Sequence, residues 1–105
     1  MANFSKRTWE KISDCLASTL GEKAKTILLF GSQARGDAKI NSDIDIAILS
    51  DSDISYEISL LREKLEELDI AQNVDVVDMN LASKCLIDNI KKDGIPWEQL
   101  AKDLD

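Results

Sequence analysis

Histidine is absent from this chain. Its absence removes Ser-His and Cys-His nucleophilic catalysis. Only two cysteines are present, Cys15 and Cys85, too few without histidine for a structural zinc site. Both lie among apolar residues in helical-looking stretches and are expected to be buried thiols. No stretch approaches the ~20 apolar residues of a membrane span. The opening residues, MANFSKRTWE, hold no apolar core of signal-peptide length, so a soluble, cytoplasmic protein is expected. Positive charge is scarce: 13 Lys and Arg stand against 20 Asp and Glu, for a net charge of −7. That balance argues against general binding to nucleic-acid backbones, which depends on cations displacing counterions from phosphate. A local basic spot would have to come from Lys23, Lys25, Arg35 and Lys39. Repeats, low-complexity tracts and linkers are lacking too. The 105 residues fit a single domain, 1–105. That length is expected to leave no room for a separate substrate domain or lid.

What is present is a regular succession of apolar patterns. Asn3 or Ser5 can cap a first helix running to about Leu20, with a stripe of Phe4, Trp9, Ile12, Leu16 and Leu20 that Gly21 ends. Thr26 to Phe30 is a short apolar run of strand type, broken abruptly by Gly31-Ser32. Gln33-Ala34-Arg35 reads as one helical turn closed by Gly36, and a polar loop follows through Ser42. Asp43 to Leu49 is a second strand, Ser55 to Leu68 a second long helix, Asn73 to Asp78 a third strand and Leu81 to Asp93 a last helix. Gly94 and Pro96 stop that helix, and the tail from Trp97 either forms a short extra helix or frays. The order implies a small α/β domain with a sheet of about three strands. The short loop before Asp43 favours antiparallel pairing of the first two strands.

The chemistry concentrates on the second strand. Residues two apart on a strand share a face, so Asp43 and Asp45 project together while Ile44, Ile46 and Ile48 face the core. The bland reading is the wet side of an amphipathic strand, although Asp is a poor strand former. Two adjacent carboxylates repel, and a divalent cation relieves that repulsion; oxygen ligands of this kind suit magnesium or manganese. A glycine directly after a strand lets the backbone approach a ligand closely, and a helical turn opening at Ser32 would offer N–H groups to phosphate. An ordinary turn with a capping Ser is the plain alternative. Asp75, between Val74 and Val76, can join the cluster if its strand neighbours the second; otherwise it is only a strand-edge acid. Asp78 falls on the opposite face or past the strand end. Together, a strand-ending Gly-Ser, ten intervening residues, Asp-x-Asp and a later strand Asp form an ordered set. A phosphate cradle beside three carboxylates is what two-metal phosphoryl transfer requires.

Phe30-Gly31-Ser32-Gln33-Ala34-Arg35-Gly36, followed by Ser42-Asp43-Ile44-Asp45-Ile46-Ala47-Ile48, resembles the DNA polymerase β-like nucleotidyltransferase superfamily. The resemblance is greatest to the minimal nucleotidyltransferases. These small prokaryotic proteins are often encoded beside an all-helical HEPN partner, with the transferase as antitoxin of a toxin–antitoxin pair. It covers roughly Thr26 to Asp78 and implies the nucleotidyltransferase fold, a small mixed sheet flanked by helices. It further implies ATP as substrate, two Mg2+ ions (or Mn2+) and a helical HEPN-type partner. Gly31 and Ser32 would contact the triphosphate. Asp43 and Asp45 would ligate both metals, and Asp75 the metal nearest the acceptor, whose proton it would help draw. Arg35 would brace the loop or reach a phosphate, and Ser42 would orient the loop before Asp43. A short strand-like ending also belongs to the resemblance, but Pro96 argues against one here.

The resemblance leaves three functions open. The first is transfer of AMP to a hydroxyl, on the antitoxin reading a tyrosine of the HEPN partner. The second is a binding module that neutralises its partner by contact alone. The third is the catalytic half of a two-chain, antibiotic-type transferase. Trp97, Ile95 and Leu100 are candidates for a partner surface, with Trp97 alternatively covering the edge of the core.

Overall fold

The computed structural model describes residues 2–104. Ser5 caps the first helix, α1 (Lys6–Leu20), its hydroxyl accepting from the Thr8 N–H. A 3-10 turn, Gly21–Lys23, leads to β1 (Thr26–Phe30), α2 (Ser32–Arg35), β2 (Ile44–Leu49) and α3 (Ser55–Glu66). After these come β3 (Val74–Asp78), α4 (Lys84–Asp93), β4 (Ile95–Pro96) and a closing 3-10 helix, Trp97–Lys102. The last helix starts later than its apolar pattern suggests. Ser83 provides the cap, and Leu81 belongs to the preceding turn, where its N–H donates to the Asp78 carbonyl.

The strands form one mixed sheet in the order β3-β2-β1-β4. β1 and β2 pair antiparallel, as the short connection requires. β2 and β3 pair parallel, which needs a crossover, and α3 supplies it. The sheet has four strands and not about three. Ile95–Pro96 pairs antiparallel with Leu28 and Leu29 of β1, so the strand-like ending is kept in spite of Pro96. Its place on the sheet edge explains this, because a residue without an N–H is tolerated where only one side must pair.

Alternation along β2 decides which face is dry. Ile44, Ile46 and Ile48 are each 0% exposed and pack with Leu29 against α1 (Ile12, Leu16, Leu20) and α3 (Ile58, Leu61, Leu65). Ala47 points to the other face, where Met79 and Ile90, with Leu28, Phe30 and Val77 beside them, form a smaller core under α4. This second core stops short of the β2 N-terminus, and the functional groups occupy that gap.

The two cysteines depart from expectation. Cys15 is only partly buried on the flank of α1, and Cys85 is exposed in the first turn of α4. Each sits one position away from its helix's inward stripe. In the tail Trp97 and Leu100 are buried and Ile95 is partly so, which makes Trp97 a cover for the edge of the core, the alternative to a partner surface. Trp97 stacks on Phe4 and Trp9, with ring centroids 6.2 Å and 6.0 Å away. Its Nε1 donates to Ser13 Oγ at 2.9 Å, while Trp9 Nε1 donates to the Trp97 carbonyl at 3.0 Å. Trp97→Leu keeps an apolar side chain but loses the stacking and the hydrogen bond. It should cost about 2 kcal/mol, read from denaturant midpoints.

Candidate active site

The row that matters crosses three strands. Phe30 of β1 lies opposite Asp45 of β2, and Asp45 lies opposite Asp75 of β3. Facing residues on neighbouring strands share a face, so Asp45 and Asp75 project together onto the side away from α1 and α3. Asp43 sits just before β2, two residues upstream of Asp45. Asp45 is partly buried, while Asp43 and Asp75 are exposed. Asp78 faces Ile48, is 7% exposed, and spends its Oδ1 on the Asn80 N–H at 3.0 Å, so it stands apart from the group.

Electrostatics mark Asp45. Burial, then Asp75 and Asp43, push its carboxyl up to about 6, and Arg35 pulls it partly back. Hard carboxylate oxygens gathered on one face of a sheet suit a divalent cation. Among the described residues, however, the acids do not form a ready-made cluster of three metal-ligating side chains. The expected convergence on one point is therefore a shared face and a shared end of the sheet; Asp43 and Asp75, both exposed, must turn inward to close it. Mutual repulsion gives them reason to stay apart, and a divalent cation would relieve it.

Gly31 supplies the bend. Its φ of 76° and ψ of −157° lie in a region that essentially only glycine occupies. A Cβ built there would run into the Asp45 carboxylate. The bare backbone therefore lets the turn lie directly against the acid. Ser32 opens α2, with Gly31 rather than Ser32 in the cap position, and Gly36 closes it in the left-handed conformation. Arg35 extends from the end of that turn to Asp93 Oδ2 at 3.2 Å and Asp37 Oδ2 at 3.4 Å. That is the bracing geometry, tying α2 to the end of α4. Ser42 Oγ accepts from the Lys39 N–H at 2.8 Å, which orients the loop before Asp43 as expected. Gln33, read only as part of the helical turn, turns out to be fully buried. Nothing in its neighbours Ser32 and Ala34 signals that burial.

A cleft of about 270 Å³ opens beside the acids, lined by Asp43, Asp75, Asn73, Gln72 and Glu66 among others. A larger cavity of about 510 Å³ lies between α1, β1 and β4, with Trp9 and Trp97 on its walls, and holds none of the three acids.

A mixed sheet with a glycine-serine bend, two strand-borne carboxylates and a third just ahead of β2, all at one end, is the pattern of a nucleotidyltransferase domain. The polymerase beta nucleotidyltransferase profile matches residues 10–96, and the chain belongs to that family. It is 39% identical over 71 residues to a protein named as an adenylyltransferase in Methanocaldococcus jannaschii, covering 68% of this chain and 71% of that one. Among solved structures it is similar to a toxin-antitoxin complex with AMP-PNP, at 32% identity and a TM-score of 0.70, covering 90% of this chain and 77% of the other. It is also similar to an MNT antitoxin complex with a tri-AMPylated Shewanella oneidensis HEPN toxin, at 27% identity and a TM-score of 0.66, covering 90% and 71%.

Proposed function

We propose that this chain transfers AMP from ATP to a hydroxyl of a helical HEPN-type partner, a tyrosine, and thereby acts as the antitoxin of a toxin–antitoxin pair. The observation that carries the reading is the cross-strand row: Asp45 beside Asp75, with Asp43 two residues upstream and the Gly31 bend packed against Asp45. The adenylyltransferase relative and the AMPylated toxin complex support the choice of AMP and of a protein acceptor.

On this reading Gly31 and Ser32 receive the triphosphate, the backbone of the bend facing its oxygens. Asp43, Asp45 and Asp75 would hold Mg2+ or Mn2+, which when bound neutralises the triphosphate and the departing pyrophosphate. The acceptor oxygen attacks the α-phosphorus and the bond to pyrophosphate breaks. Asp75, on the outer strand and exposed, takes up the acceptor's proton. Arg35 remains the brace of the α2 turn, and the reading does not require it to touch phosphate.

No helix among the described residues is long and apolar enough to cross a membrane. We place the reaction in the cytoplasm, where ATP and an intracellular toxin would meet it. Incubation with labelled ATP, Mg2+ and the co-purified helical partner should transfer label to that partner. A complex that forms and takes up no label would refute protein modification and leave neutralisation by contact alone.

A further inference from the structure

The loop between α2 and β2 delivers Asp43, yet only one internal turn orders it: the Ser42 N–H donates to the Lys39 carbonyl at 3.0 Å, and the Lys39 N–H donates to Ser42 Oγ at 2.8 Å. Its remaining order comes from outside. From Ala38 to Ser42 every second carbonyl accepts from a side-chain amide. Ala38 receives Asn3 Nδ2 at 3.2 Å, Ile40 receives Gln72 Nε2 at 2.8 Å, and Ser42 receives Gln33 Nε2 at 3.2 Å. The donors come from three separate parts of the chain: the segment before α1, the α2 turn and the approach to β3. Two of them are tied to each other, because Gln33 Oε1 accepts from the Asn3 backbone N–H at 2.6 Å.

Two of the three amides are buried at a cost. Gln33 is 0% and Gln72 8% exposed, and Gln72 Oε1 has no hydrogen-bond partner among the described residues. An apolar side chain would avoid that desolvation. What the amide retains is its hold on the Ile40 carbonyl. On the far side of Asp43, the Ile44 N–H donates to the Asn73 carbonyl at 2.8 Å, and Ile44 is wholly buried. The backbone is thus fixed on both sides of an acid whose own side chain is exposed.

We propose that Asn3, Gln33 and Gln72 are positioning residues: an amide clamp that fixes the backbone carrying Asp43, so that its carboxylate can turn to join Asp45 for cation binding. The proposal rests on the nucleotidyltransferase reading of that site. Its test compares Gln33→Leu and Gln72→Leu with a core control that leaves the clamp intact, Ile58→Val. The exposed Asn3→Ala serves as a milder variant that is expected to fold. Mn2+ titrated into the full chain with a non-hydrolysable ATP analogue, followed by electron paramagnetic resonance, gives the cation affinity. The two leucine variants should bind Mn2+ at least ~10-fold more weakly and Asn3→Ala ~3-fold more weakly, in line with what loss of groups that orient metal ligands costs in affinity. The control should lose melting temperature without losing Mn2+. Amide exchange at Asp43 and Ile44 should quicken only in the clamp variants. Mn2+ affinities within twofold of the control would reduce the clamp to ordinary loop packing and overturn the proposal. A wild-type chain that binds Mn2+ but labels no partner leaves the clamp standing and removes only the protein-modifying function; one that binds no Mn2+ removes both.

Discussion

Asp45→Asn should abolish AMP transfer, a fall of at least about a thousandfold, or roughly 4 kcal/mol of transition-state stabilisation. The same substitution should make the cation-free protein more stable above pH 6. The sign follows from the shift. Folding raises the Asp45 carboxyl from the ordinary range near 4 to about 6, so between those values the folded state holds a proton that the unfolded chain releases. Stability therefore falls as pH rises through that window and stays lower above it. Asparagine carries no charge and escapes the penalty. The carboxyl is only partly buried, so solvent screening discounts the full shift to about 1–2 kcal/mol. Thermal melts without divalent cation at pH 5 and pH 8 check this: the variant's advantage should be small at the lower pH and clear at the higher. A variant that is less stable than wild type at pH 8 would show that Asp45 is held in place by favourable partners and not by strain with its neighbours.

Gly31→Ala is expected to do nearly as much damage by a different route. The added methyl meets the Asp45 carboxylate, and the backbone there has a conformation that side-chain-bearing residues avoid. Strain of that kind costs of order 1–3 kcal/mol. Relief requires either the bend or Asp45 to move, and a displacement of about 1 Å at a reacting site can cost a hundredfold in rate. Steady-state transfer assays should show that loss in kcat/KM, with a lowered melting temperature. Gly21→Ala is the comparison: it also has positive φ but nothing near its Cβ, so it should lower stability alone. Equal activity in the two alanine variants would separate the Gly31 bend from catalysis.

Much of this arrangement is legible in the residues themselves. The Ile-x-Ile-x-Ile pattern of β2 states which face is dry, and that alone sends Asp43 and Asp45 to the other side. Ser5 and Gly21 bound α1 by ordinary capping chemistry. Register is another matter. Asp45 opposite Asp75 depends on a parallel pairing made through α3, and no local pattern encodes which residue of β3 a crossover will bring alongside. β4 has no local signal for a related reason: two residues, one of them proline, carry no period, so Pro96 counts against the strand-like ending that the resemblance implies, although pairing with β1 is set by where α4 ends. The amide contacts on residues 38–42 left no trace because their donors lie as far as 35 positions away. The cysteines misled because apolar neighbours in sequence do not fix which side of a helix a residue occupies.

The stacked indoles have a practical consequence. Both tryptophans of the chain belong to one aromatic pair at the junction of α1 and the tail, and neither lines the cleft beside the acids. Intrinsic fluorescence is consequently an optical reporter of whether the two ends of the fold are closed on each other, and is silent about occupancy at the carboxylates. Emission can follow unfolding in any of the variants above without interference from nucleotide, whereas titrations of ATP need a probe placed elsewhere.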